Sequence, residues 1–241
     1  MIKLELIRFI KSNKLFYYIL SVCALIITNY ILQINLDHNI NDSQIAFNLF
    51  QTFNMFYFLI SSFIFGTIFS DDVEKKYEIF YFNLEKNINK YYFAKLIVSL
   101  LIGIIINTIV LSILYFNLNI DLIIKLKLIL LLIGCNIITI ILQLVISMLV
   151  KTNIKAITTN FLLWFGLTIM NIIPIFHGFF CYFDNNSSIN AYAANLLNIE
   201  IKQINDLNYV SGNIIFTYII IVILLLLVII LINRRKKCII R

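Results

Sequence analysis

The residues with chemistry to offer are concentrated between Phe69 and Lys95, FSDDVEKKYEIFYFNLEKNINKYYFAK. Acids come first (Asp71, Asp72, Glu74), then an aromatic centre (Tyr77, Phe80, Tyr81, Phe82), then Asn87, Lys90 and Lys95. Alternating acids and lysines make a soluble, ion-pairing surface, and aromatic side chains are the anchors that protein interfaces favour. A flexible loop gains nothing by exposing four aromatics together. The stretch therefore reads as a docking element for another protein. The competing reading is a solvated loop with no partner, because charge runs are often only solvated faces.

Catalytic constellations are missing elsewhere. The two histidines, His38 and His177, fall near the ends of apolar segments, and no HExxH occurs, which argues against a zinc membrane protease. No GxSxG is present. The four cysteines (Cys23, Cys135, Cys181, Cys238) are scattered without a CxxC pair, so they suggest neither a disulfide framework nor a metal site. None of the six glycines begins G-x-x-x-x-G-K-[ST], so no P-loop is present. No pair of ionisable residues lies in the middle of an apolar segment, where a proton-coupled carrier needs one. The chain is expected to be no enzyme and to bind no cofactor itself. If it moves something uphill, the energy has to arrive from another subunit.

The segments around this stretch must hold it at a membrane surface. Of the 241 residues, 61% are hydrophobic and 13% charged, with a mean hydropathy of +0.96. Soluble domains run at about 45–50% and about 25%, so this excess of apolar surface belongs in a bilayer. The net charge of +7 then reflects basic residues held on the cytoplasmic side, next to anionic lipid, and no nucleic-acid partner is expected.

Residues 2–14, IKLELIRFIKSNK, place Ile2, Leu6, Phe9 and Ile10 on one side of a helix and Lys3, Lys11 and Lys14 on the other. This predicts an amphipathic helix lying in the inner interface. A basic flank that merely orients the first span is the simpler alternative. The first span is expected at about 15–34, too long for a signal peptide and followed by no small-residue cleavage site, so it reads as retained. Further spans are expected at about 45–69, 93–116, 124–150, 156–176 and 213–232. A helix over 71–89 separates the second from the third, and residues 177–212 form a long outer segment. Within it, Ala193, Leu196, Leu197 and Ile201 mark one face of a short helix.

With both termini inside, only Lys125, Lys127 and Lys202 of the 19 basic residues fall outside. Lys/Arg asymmetry sets topology, so the expectation is an all-α integral membrane protein. It forms one domain over 1–241, with six transmembrane helices and both termini cytoplasmic.

Three polar features lie within the spans. Ser99, Gly103 and Asn107 recur every four residues on the third, a small-residue ridge that permits close helix approach. Asn136, Gln143 and Ser147, with Thr139, form a polar stripe on the fourth. Thr158, Thr159 and Asn160 enter the fifth. These residues either hydrogen-bond between helices or line a weakly polar substrate path.

The order of an interfacial basic helix, six spans, a charged helix between spans two and three and a long outer segment between five and six resembles the permease subunit of ABC-2 type transporters. It is most similar there to the short bacterial permeases of lantibiotic and bacitracin-type immunity exporters. That family has an acid just after the second span, a polar turn with a basic residue, and a lysine opening the third span. Asp72, then Asn87 and Lys90, then Lys95 stand at these positions. Lys76-Tyr77 replaces the family's Gly-Thr, and its turn proline is absent.

The resemblance implies a coupling helix from Asp72 to Asn87, with Glu74, Tyr77, Phe80, Tyr81 and Lys90 in the docking surface for a separate P-loop ATPase, in two copies. ATP and Mg would be bound on that partner. It also implies a second permease, identical or related, and a lipid-like or antimicrobial peptide cargo exported across a bacterial plasma membrane. The rival is a non-transporting immunity or assembly protein that binds a peptide or partner.

Overall fold

An apolar run in lipid must satisfy every backbone N–H and C=O internally, and a helix does this within one segment. The structure is a computed structural model, and it describes residues 2–36, 41–75, 77, 88–172, 188–199, 223, 227, 230 and 231. Among the described residues all regular structure is helical, with no strand. The elements are α1 (Ile2–Lys11), α2 (Asn13–Leu36), α3 (Asp42–Ser62), a 3-10 turn (Phe65–Thr67), α4 (Ile68–Glu74), α5 (Ile88–Phe116), α6 (Leu122–Leu149), α7 (Asn153–Ile172) and α8 (Ser188–Leu196). Among the described residues, four stretches are long and apolar enough to cross a membrane: Asn13–Ile31, Asp42–Glu74, Lys90–Ile113 and Leu122–Leu149. The sixth expected span, 213–232, lies outside the described residues apart from four positions.

α3 stands in the middle, against α2, α6, α7 and α8, while α5 closes the bundle against α1, α2 and α6. The core is aromatic along α3, where Phe50, Phe53, Tyr57 and Phe58 are fully buried. Opposite faces stay apolar and exposed. Phe93, Ile97, Leu101, Ile105, Ile109 and Ile113 run down α5 at four-residue spacing. Such a stripe would be a liability in water and suits contact with lipid tails.

The second expected span, read as continuous over 45–69, is broken. The cause lies in its sequence. Ser61 and Ser62 donate back to the carbonyls of Tyr57 and Leu59, each at 2.6 Å, and Thr67 donates to that of Phe63 at 2.9 Å. Back-bonding of this kind bends helices. Gly66 sits within the break, where a Cβ would come to 2.5 Å from Asn160 Nδ2 on α7. A helix restarting inside the bundle exposes its first N–H groups, and α6 covers them. The N–H groups of Phe69 and Ser70 donate to Ser147 Oγ at 2.9 and 3.0 Å. One turn earlier on α6, Gln143 Nε2 donates to the Phe58 carbonyl at 2.7 Å.

Gly103 performs the matching service for α5. A Cβ there would collide with Ile140 Cδ1 of α6 and stand 3.3 Å from the Phe65 ring. At the end remote from the charged cluster, Asp42 accepts the N–H of Asn119 at 2.8 Å and so ties the start of α3 to the α5–α6 turn. α8 buries Ile189, Ala193 and Leu197. It ends at Asn198 in the left-handed region (φ 55°), and Ile199 N–H donates to Ala194 O at 2.9 Å, a helix stop with a positive-φ residue. Of the face expected here, Ala193 and Leu197 are buried and Leu196 half-buried, and Ile201 lies outside the described residues.

The N-terminal helix differs from the expected one in two ways. It ends at Lys11, and α2 starts at Asn13 after a break at Ser12, whose hydroxyl donates to the Phe9 carbonyl at 2.6 Å. Its inward face is also not the apolar one. Phe9 and Glu5 are buried, whereas Ile2 and Ile10 are exposed together with Leu4 and Ile7. The helix turns its acid toward a cluster of cations in the bundle.

Candidate functional site

The only ion pairs among the described residues gather at one end of the bundle, where α1, α4, α5 and the start of α2 converge. Two successive acids on α4 organise them. Asp72 is fully buried and is bonded by Arg8 of α1, Lys95 of α5 and the Tyr91 hydroxyl. Lys95 Nζ also donates to the Ile68 carbonyl at 3.1 Å. Asp71 points the other way. It pairs with Lys14 of α2 at 3.2 Å and Lys75 at 3.0 Å, and accepts from Asn153 Nδ2 of α7 at 3.1 Å.

Around Asp72 the charges cancel, with Glu5 and Asp72 set against Arg8 and Lys95. Arg8 lies 3.7 Å from Glu5 and stacks over the Tyr77 ring at 4.9 Å from its centroid. Burial pushes the Glu5 carboxyl above its ordinary pKa against the pull of Lys95 and Arg8. The hydrogen bond to Asp71 holds the Lys75 ammonium above its own. A cavity of about 70 Å³ opens beside the cluster, lined among others by Glu5, Arg8, Lys14, Asp71 and Lys95. A neutral, hydrogen-bonded set of ions can survive burial, but removing one partner from such a set costs about 3–5 kcal/mol.

The residues expected at a docking surface divide. Glu74, Tyr77 and Lys90 are exposed. Glu74 accepts the N–H of Asn153 at 3.2 Å. Phe80, Tyr81 and Asn87 lie outside the described residues, as does most of the helix expected over 71–89. Asp72 is no surface group. Its carboxylate faces inward, so it cannot reach a partner and instead holds the root of the stretch. The pairing of Asp72 with Lys95 joins two positions that the sequence separates by a whole polar interval.

The intramembrane polar residues divide: Asn160 and Thr139 are buried, whereas Thr158 and Thr159 are exposed. Ser99, Gly103, Asn107, Asn136, Gln143 and Ser147 are buried. Asn107 Oδ1 accepts from the Tyr18 hydroxyl at 2.9 Å, and Tyr18 meets the Tyr57 hydroxyl at 2.9 Å, a polar joint of α2, α3 and α5. Gln143 and Ser147 serve the broken helix. Sequence reasoning missed Glu5, Arg8, Lys14, Tyr18, Tyr57 and Tyr91 as members of these networks. The signal at hand was one acid within a basic, otherwise apolar N-terminal helix.

Long apolar helices, lipid-suited outer faces and ion pairs gathered at one end of the bundle define an integral membrane protein. The chain belongs to the peptide export permease protein YydJ family, whose model matches residues 2–239. No curated protein and no solved structure matches it.

Proposed function

We propose that this chain is the permease subunit of an ATP-driven exporter of the ABC-2 type, moving a peptide out of the membrane or the cell. A separate P-loop subunit, in two copies, binds ATP and Mg and hydrolyses the nucleotide, and this chain has no catalysis of its own. Membership of a peptide export permease family carries the reading and supports a peptide cargo. An amphipathic peptide of the lantibiotic or antimicrobial type suits a route that starts in the bilayer.

The architecture of the charged end supports the coupling. α4 is fastened by ion pairs and leads into a stretch whose Glu74 and Tyr77 are exposed. There Glu74, Tyr77, Phe80, Tyr81, Asn87 and Lys90 would meet the ATPase, with aromatic anchors supplying most of the contact energy. The protein would span a bacterial plasma membrane six times, with both termini inside and a second permease, identical or related, beside it.

Affinity purification from the native host tests this reading. A P-loop ATPase should co-purify with the chain. Replacing Tyr77, Phe80 and Tyr81 together with alanine should cost at least tenfold of the recovered ATPase, since each anchor is worth about 2 kcal/mol. Recovery of the chain without any ATPase would leave the rival, a peptide-binding immunity or assembly protein.

A further inference from the structure

The consecutive acids Asp71 and Asp72 sit where the docking stretch leaves the second span, and each fastens a different set of helices. Asp71 reaches α2 through Lys14 and α7 through Asn153. Asp72 reaches α1 through Arg8 and α5 through Lys95 and Tyr91. Lys95 also grips the first residue of α4 through the Ile68 carbonyl. Arg8 extends the chain outward, from buried Asp72 to the exposed ring of Tyr77. A seven-residue helix is too short to be stable alone. These bonds therefore fix its position together with the packing of buried Ile68 and Phe69 against the bundle.

We propose that Asp72 is a positioning residue that locks α1 and the charged end of α5 to α4, so that a displacement of the docking stretch carries all three as one body. The chemistry favours a lock over a hinge. Asp72 is fully buried, and Lys95 is 4% exposed. Both partners are withdrawn from bulk water, so the pair separates only at high cost. The N–H groups of Phe69 and Ser70 meanwhile rest on Ser147 through two neutral bonds, a weaker joint than the ionic one. Force arriving through α4 would then strain the break at 63–67 before it breaks the lock. α5 and α1 become the moving parts, and α6 the part they move against.

The proposal rests on the reading of the chain as an ATPase-coupled permease, and the test separates the two. Asp72→Asn keeps shape and removes the charge. Hydrogen exchange across residues 2–11 of the purified full chain should quicken about tenfold or more in Asp72→Asn, while Lys3→Gln, on the exposed side of α1, should exchange like the parent. In the assembled transporter, Asp72→Asn should retain the ATPase within about twofold and hydrolyse ATP, yet export at least tenfold less peptide per ATP. The double variant Asp72→Asn, Lys95→Gln, which removes the stranded cation, should exchange more slowly than Asp72→Asn alone and so exclude general misfolding.

Unchanged exchange in α1 together with unchanged export per ATP overturns the proposal. Loss of the ATPase from Asp72→Asn overturns it as well, because Asp72 would then act on docking itself. Absence of ATPase from the parent protein would sink the functional reading and leave the exchange comparison to judge the lock.

Discussion

Glu5 shows how one side chain can oppose the helix that carries it. It faces Arg8, Lys95 and Asp72 from a buried position on α1, and burial outweighs its cationic neighbours and raises its pKa. The folded protein therefore binds the Glu5 proton more tightly than the unfolded chain, whose carboxyl titrates near about 4.3. Stability gained from this group rises as pH falls through the raised value toward that figure. Above the raised value, ionised Glu5 costs stability in full. Glu5→Gln should flatten the acid side of the thermal-stability profile, measured by thermal unfolding in detergent across pH.

Lys75 carries the same sign of dependence in a much more alkaline window, but here the charged form is the one the fold favours. Its pKa is raised by Asp71, so its contribution is complete below the ordinary lysine value and fades as pH rises through the raised one. Its side chain is 54% exposed, and exposed pairs are worth about 0.2–1 kcal/mol. Lys75→Met should therefore shift Tm by no more than about 4 °C at neutral pH.

The broken second span is the element on which the bundle depends. Hydroxyl back-bonding bends it, Gly66 admits Asn160, and Ser147 covers two N–H groups that lipid would leave bare. Ser147→Ala strands both donors, and an unsatisfied buried donor costs about 1–3 kcal/mol. For a chain of this size such a loss should lower Tm by about 2–4 °C per kcal/mol. Ser147→Thr, which keeps the hydroxyl, should recover most of it, with melting curves of the three proteins as the measure. A polar stripe on α6 thus has a structural use, which the spacing of Asn136, Gln143 and Ser147 could not reveal without the helix it serves.

Across the described part of the molecule, the ion pairs are sorted to one end. The ion pairs among the described residues lie where α1, α4 and α5 meet, and the apolar stripe of α5 runs away from them. Placing that end in the cytoplasm gives a checkable map. In a cysteine-free background, a cysteine replacing Lys3 or Lys90 should react with a membrane-impermeant maleimide only in opened vesicles. One replacing Asn119, in the α5–α6 turn, should react in intact cells. The reverse pattern would invert the topology and remove the docking stretch from any cytoplasmic partner.

The helical class, the membrane as solvent and the positions of four spans were legible from composition and from runs of apolar residues, because hydropathy is a local property that survives without tertiary context. The Phe69–Lys95 stretch stood out for the same reason, as charge among apolar segments. The inward turn of Asp72 was not legible. An acid in a charged loop and an acid locked between Arg8 and Lys95 have the same sequence neighbourhood, and the partners lie 64 and 23 residues away. Nor was the burial of Glu5 in place of Ile2 and Ile10, since periodicity ranks faces by hydropathy and cannot see a cluster of cations waiting in the bundle. The break in the second span was half visible, in Ser61, Ser62, Gly66 and Thr67. That it could be tolerated in the middle of a membrane protein was decided only in three dimensions, where Ser147 and Gln143 arrive from another helix to complete its hydrogen bonds.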